Sequence, residues 1–437
     1  MISLPTLLVL ATASGIPCQD DVAPEEQWSS WRGPLATGEA PTADPPTTWS
    51  ESRNVRWKVE LPGKGHSTPV LWGERLFVTT AVPVGEALVP APERAPGAHD
   101  NAPVTHVHSF RVLALDRATG KKLWERALLE ELPHERAHVT ASFASPSPVT
   151  DGERVYASFG SYGVFALTLD GEPSWSVDLG DLSMKHAHGE ASGPVLAGET
   201  VTVLWDHEGD SFLVGLDRST GEERWRTKRD EPTSWSTPIA VEAPETTWIV
   251  VSGTNAVRAY DARDGSVVWS GPGLSNNVVA SPVHADGVVY AGSSYERQIF
   301  VALRVDGRSG ALTNDDLLWV RRKGTPYVPS PLLVGDALYF LHHYQGRLSR
   351  VDRATGEEAG RAWRLPQVRN VYASPVAAAG RIYVTDLDGT TVVLQDAAEP
   401  RVLATNRLND VFSASAAIAG DALFLRGERF LYCLSER

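Results

Sequence analysis

The sequence predicts an all-β fold: an eight-bladed β-propeller of four-stranded antiparallel blades, closed by pairing its N-terminal strand with its C-terminal ones. Three observations predict it. A hairpin element recurs and ends in tryptophan, a serine element opens each repeat, and an alternating apolar strand follows that serine. Periods of this length are the mark of repeat architectures, in which each unit buries its faces only against its neighbours.

The hairpin is clearest in ALDRATGKKLW (114–124), GLDRSTGEERW (215–225) and AYDARDGSVVW (259–269). An apolar strand leads into an aspartate, a turn ends in glycine, and a second strand ends in tryptophan. The aspartate side chain can cap the turn, and glycine supplies the positive φ that closes it. Looser copies are ALTLDGEPSW (166–175), RVDGRSGALTNDDLLW (304–319) and RVDRATGEEAGRAW (350–363). The terminal residues are Trp57, Trp124, Trp175, Trp225, Trp269, Trp319 and Trp363, about 44 to 51 residues apart after the first gap. That spacing suits four short strands per unit. The eighth position, near Val402 and Leu403, has no tryptophan.

The second series is Ser67, Ser147, Ser192, Ser236, Ser281, Ser330 and Ser374, each with a proline one or two residues on, and then Ser415 without one. The third is a turn followed by a strand of period two, from GERLFVTT in the first unit to GDALFLRG in the last. Such alternation marks a strand with one buried face, and no 3.6-residue pattern competes with it. Trp57 sits on an outer-type strand, NVRWKVEL, before any inner strand exists, and the chain ends on a third-type strand, LYCLSER. Pairing 54–61 with the last three strands completes the eighth blade and removes the open sheet edges. The expected divisions are a signal peptide over 1–20, an N-terminal extension over 21–53 and the propeller over 54–437.

Composition bounds the function. The 437 residues are 42% hydrophobic and 22% charged, as in an ordinary globular chain, and the net charge of −14 argues against nucleic-acid binding. The opening MISLPTLLVLATASG reads as a secretory signal with a small-residue cleavage site at Ala11-Thr12-Ala13, although no Lys or Arg precedes the apolar run. A periplasmic or secreted location follows, and no segment approaches the ~20 apolar residues of a membrane span. Of the two cysteines, Cys18 follows Gly15-Ile16-Pro17, a poor match to a lipobox, so a lipid anchor is not expected; Cys433 reads as a small apolar residue of the last strand.

The eleven-residue Ala-x-Asp-x-x-Thr-Gly-x-x-x-Trp element resembles the tryptophan-docking repeat of PQQ-like (pyrroloquinoline quinone) propellers, from about residue 54 to the end. WSSWRGP (28–34), ASPSPVTDGERVYASFGSYG (144–163) and HGEASGPVL (188–196) resemble stretches of the secreted PQQ-like repeat proteins of planctomycetes and their relatives. The resemblance implies that the seven tryptophans dock against neighbouring blades. It extends in fold to the BamB-like scaffolds and to the quinoprotein dehydrogenases. The latter use adjacent cysteines, carboxylates and an Asn around Ca²⁺, and a Trp beneath the quinone; this chain has no Cys-Cys pair.

In a propeller, the residues just before each innermost strand share one face with the loops joining the second and third strands. This places His66, His138, His186, His188, Trp235, Asn276, Asn277, Tyr327, Arg369 and Tyr372 there as binding candidates, with Phe412. The loops add Tyr162, Asp206 to Asp210, Tyr295 to Arg297, His342, His343 and Tyr344, and Asp386 to Asp388. One large insertion, about 82–107, carries His99 and His106 to the same face, where repeat proteins place working insertions. A histidine-rich face reads either as a metal or pH-sensitive site, with His186, His188 and Glu190 as the candidate ligands, or as polar loop residues that never converge. No GxSxG, HExxH or P-loop is present. The expected function is a non-catalytic binding or assembly scaffold for protein or peptide partners of the cell envelope, as a monomer or within a complex. The alternative is an oxidoreductase of the quinoprotein type using PQQ or a divalent metal.

Overall fold

The computed structural model describes residues 26–436; the signal segment and Cys18 lie outside the described residues. Eight four-stranded antiparallel blades follow one another along the chain, built from strands in sequence order except in the last; the fourth also gains a short parallel strand from the blade 5 hairpin. Blade 3 is the regular case: Val195–Ala197, Thr200–Trp205, Phe212–Asp217 and Glu223–Lys228. Its second strand is buried throughout, whereas its fourth buries only Trp225 fully, because inner strands are covered on both faces by neighbouring blades. Between blades the core is a layer of interdigitated side chains, as where Phe77 and Val112 of blade 1 join Val155 and Leu167 of blade 2. Helix appears in short 3-10 turns such as Gly160–Tyr162.

Blade 8 is closed as the strand order requires. Ala417–Ala419, Ala422–Arg426 and Phe430–Leu434 are completed by Val55–Glu60, which pairs antiparallel with the C-terminal strand, Trp57 opposite Cys433. The Trp57 indole donates to the Arg117 carbonyl of blade 1 at 2.9 Å. The same bond recurs from Trp124 to Leu169, Trp175 to Arg218, Trp225 to Ala262 and Trp319 to Arg353. Each acceptor belongs to the next blade's hairpin, and each ring lies on that hairpin's glycine. At Gly221, with φ +78°, a Cβ would stand 2.7 Å from Trp175.

Two tryptophans depart from this pattern. The lengthened hairpin of blade 5 sends Gly310–Ala311 to pair parallel with Val267–Ser270, so Trp269 is covered by a fifth strand and its indole nitrogen has no partner. Trp363 faces a hairpin, DAAEP, that has lost its glycine; it is only half-buried.

The serine series is hydrogen-bonded around most of the axis, with no such bond between blades 2 and 3 among the described residues. Thr68 N–H donates to the Ser147 hydroxyl, Thr237 to Ser281, Ser281 to Ser330, Ser330 to Ser374, and Ser374 to Ser415. Between blades 3 and 4 the acceptor is Thr237, beside Ser236, taking the Gly193 N–H at 3.0 Å. At the closure the buried Arg426 guanidinium donates to the Ser67 hydroxyl instead.

Residues 28–40 cross the channel, and 44–51 run outward along blade 7 against Arg381, Tyr383 and Asn406. Trp28 and Ser29 carbonyls accept from Leu71 and Thr150, on the innermost strands of blades 1 and 2. Thr37 and Gly38 carbonyls accept from Leu333 and Ala377, on those of blades 6 and 7. Between them Arg32 is wholly buried and donates to the carbonyls of Pro375, Thr37 and Pro331 at 2.8, 3.2 and 2.9 Å. Without a carboxylate partner, burial lowers its pKa to about 9.

Candidate functional site

The face where the innermost strands begin opens into a funnel on the axis, a cavity of about 570 Å³. Its lower rim is the arc of serine hydroxyls. Trp31 reaches this arc from the threaded segment and donates its indole N–H to Ser281 at 3.1 Å. The extension therefore blocks the channel beneath the funnel and turns a bore into a cup.

The wall on blades 5 to 7 is aromatic. Tyr295 stacks on Tyr327 with centroids 6.0 Å apart, Tyr327 on His343 at 4.4 Å, His343 leans on Tyr344 at 4.4 Å, and Tyr344 stacks on Tyr372 at 5.8 Å. These residues come from loops between second and third strands and from segments preceding first strands, so only ring curvature makes them neighbours. Tyr295 and Tyr344 form the solvent-facing lip, 43% and 36% exposed. Trp235 lines the cavity and donates its indole N–H to the Gly189 carbonyl at 2.7 Å.

The wall on blades 1 to 3 is imidazole. The insertion is partly built into blade 1, whose second and third strands run on to Arg75–Val84 and Val107–Asp116. Its tip bends over the face, where Asn101–Ala102 pairs with Ala137–His138. This brings His99 against His188, with ring nitrogens 2.9 Å apart. His186 and His138 pack on the same His188 ring with centroids 5.3 and 5.0 Å away. Burial, then the neighbouring imidazoles, lower the His188 pKa to about 4. His138 is lowered as well, by burial against the opposing pull of Asp100. His66, deeper in the cup, is held to about 3 by burial and then by Lys64 and Arg426.

Of the candidates named from sequence, His66, His138, His188, Trp235, Asn277, Tyr327, His343 and Tyr372 line the funnel. His186 stands outside the lining, its Nδ1 3.0 Å from the Pro96 carbonyl. Asn276 and Arg369 do not line it, and His342 turns aside to the Ser349 hydroxyl at 2.7 Å. Phe412 is fully buried, and Asp206 forms a two-point pair with Arg229 at 2.7 and 2.9 Å, both side chains out of solvent. His186 and His188 do meet, but the Glu190 carboxylate accepts from the Ser161 N–H and hydroxyl at 2.8 and 2.6 Å. Burial raises its pKa to about 7. Among the described residues no three His, Cys, Asp or Glu side chains form a metal-holding group. Sequence reasoning passed over Trp31, whose only signal was the WSSWRGP stretch, and the serine hydroxyls, which it used only to number the blades.

A family model described as outer membrane protein assembly factor BamB matches residues 93–239 and 209–436. No curated protein matches the sequence. Among solved structures, BamB from Moraxella catarrhalis is 16% identical, covering 82% of this chain and 98% of its own, with a TM-score of 0.54. A quinohemoprotein alcohol dehydrogenase from Pseudomonas putida HK5 is 11% identical over 94% of this chain and 80% of that one, with a TM-score of 0.58. A computationally designed protein is 12% identical over 80% and 100%, with a TM-score of 0.52. Identities this low show a shared fold and leave the chemistry to the site.

Proposed function

This chain belongs to the PQQ-like repeat family described by the assembly factor BamB, and on that premise we propose that it is a non-catalytic binding scaffold for protein or peptide partners of the cell envelope, exported by its N-terminal segment. The observation that supports this reading is the aromatic ladder from Tyr295 to Tyr372, with its outer members exposed at the lip. Rigid, amphipathic aromatics on a fixed ring offer large contact area at low entropic cost, which is why tyrosine and tryptophan dominate binding hot spots. Among the described residues no helix is long and apolar enough to cross a membrane.

The competing reading, quinone-dependent oxidation, fits the funnel poorly. Pyrroloquinoline quinone is a tricarboxylate, and no Lys or Arg side chain lines this cavity. The one cysteine among the described residues, Cys433, is buried in the last strand. The cationic and thiol groups that would hold and flank the cofactor are therefore not at the wall.

A photo-crosslinking side chain placed at Tyr295 or Tyr344 tests the scaffold reading in envelope preparations of the producing cell. A discrete protein adduct from the lip is expected, and none from the same group at Val402 on an outer strand. Equal adducts from both positions, or none from the lip, would remove the reading.

A further inference from the structure

We propose that the floor of the funnel is a binding site for a neutral carbohydrate, a pyranose ring seated over Trp31 with its hydroxyls toward the serine hydroxyls. The inference concerns the floor and does not rest on the protein-partner reading, which concerns the lip.

The hydroxyl-bearing residues Ser147, Thr237, Ser281, Ser330, Ser374 and Ser415 all line the cavity. Each already accepts a backbone N–H from the preceding blade, at 2.9 to 3.1 Å. A hydroxyl whose oxygen is so engaged still has its own proton to give. None of the six donates that proton to another protein atom among the described residues. Together with Ser147 of blade 2, the hydroxyls of blades 4 to 8 form an arc of O–H donors facing one small volume.

Unpartnered polar atoms stand beside them. Asn277 Oδ1, an acceptor, and His66 Nε2, a donor or an acceptor according to its tautomer, are buried in the funnel lining, and neither has a hydrogen-bond partner; the Glu428 carboxylate stands 4.0 Å from that nitrogen. A buried polar atom left unpaired costs about 1–3 kcal/mol, so two at one cavity point to a ligand that satisfies them. His66 is uncharged at neutral pH, for burial keeps its proton affinity low.

Charge selects among ligands. Arg32 and Arg426 lie outside the lining, their guanidinium groups bonded to backbone carbonyls and to Ser67. The carboxylates that do reach it, Asp100 and Glu190, oppose an anion. What remains is a surface without a Lys or Arg, offering donors and acceptors together, with aromatic faces alongside. A pyranose is the complement: its perimeter hydroxyls donate and accept, its oxygens stand around a ring, and its C–H faces lie on aromatic surfaces. The cavity of about 570 Å³ falls within the size of small-molecule sites and admits one or two sugar units.

Titration calorimetry on the mature chain tests this with cellobiose, maltose, xylobiose and N,N′-diacetylchitobiose as neutral probes. Digalacturonate, inorganic phosphate and a proline-rich decapeptide serve as the contrasting ones. Saturable binding of at least one neutral disaccharide is expected, weakened about tenfold or more by Asn277→Gly and by His66→Phe, each of which removes the polar atom. Asn277 has φ +55°, which glycine adopts freely, so the first variant deletes the amide with little change of fold. Circular dichroism confirms that each variant is folded. Silence from all four neutral probes overturns the proposal, as does tighter binding of digalacturonate, phosphate or the peptide. Lip crosslinking is read separately, so the two readings can fail independently.

Discussion

Asp217 and Asp261 show how single residues carry the hairpin. Asp217 accepts the N–H groups of Ser219 and Thr220 at 2.8 and 2.9 Å and binds Arg224. Arg224 and these backbone bonds lower its pKa from 3.8 to about 2; Arg263 does the same for Asp261. A folded pKa below the unfolded one means that the unfolded chain takes up the proton first. The contribution is therefore whole above about pH 4 and lost as pH falls through about 2. Urea midpoints measured from pH 5 to pH 2 should fall steadily, and less steeply for Asp217→Asn. His188 obeys the same rule in a higher window. Its folded pKa of about 4 lies below the ordinary 6.5, so its contribution is whole above pH 6.5 and lost as pH falls toward 4. Asp100 is the anion that faces this cluster, and its pull on His138 is weaker than burial. The protection factors of amides across 85–106, taken relative to the intrinsic exchange rate at each pH, should fall between pH 7 and pH 5 as the insertion loosens from His186 and His188. Unchanged protection would show that the imidazole contacts do not hold it. The histidines themselves were legible, but their convergence was not. His99 and His188 lie far apart in sequence, and only the path of the insertion makes them neighbours.

At the scale of the element, the hairpin and its tryptophan are one device shared between two blades. The indole N–H bond and the ring's seat on a positive-φ glycine both belong to the next repeat, so each docking contact is a blade-to-blade contact. Trp124→Phe keeps a smaller aromatic ring and removes the bond to Leu169, which should cost about 1 kcal/mol or more in denaturant unfolding. Trp363→Phe, where no such bond exists, should cost less. Gly221→Ala drives a Cβ toward Trp175 from a backbone that alanine disfavours, and should cost more than about 1 kcal/mol. Equal costs at Trp124 and Trp363 would show that burial alone matters. The regular strands were readable because period-two alternation is local. The fifth strand of blade 4 was not, since Gly310–Ala311 has no alternation and pairs only because the blade 5 hairpin is long enough to reach back.

At the scale of the whole molecule, closure and plugging both depend on the N-terminal part of the chain. Val55–Glu60 covers the edge of Phe430–Leu434, and residues 28–40 bridge blades 1 and 2 to blades 6 and 7 through the axis. A chain beginning after residue 61 should therefore lose both, exposing an apolar strand edge. Light scattering should show association, with a lower unfolding midpoint; a monomer of unchanged stability would contradict this account of closure. The number of blades, their strand order and the closing strand were determined by the sequence alone. Each rests on short-range patterns: alternation, a capped turn, a tryptophan at fixed register. Only the tertiary structure decided that the extension fills the channel, that Trp31 becomes the floor of a cup, and that serines from successive blades line up as an arc of hydroxyls around it. Those arrangements join residues tens to hundreds of positions apart. The curvature that brings them together is a sum of small rotations between blades, which no single repeat encodes.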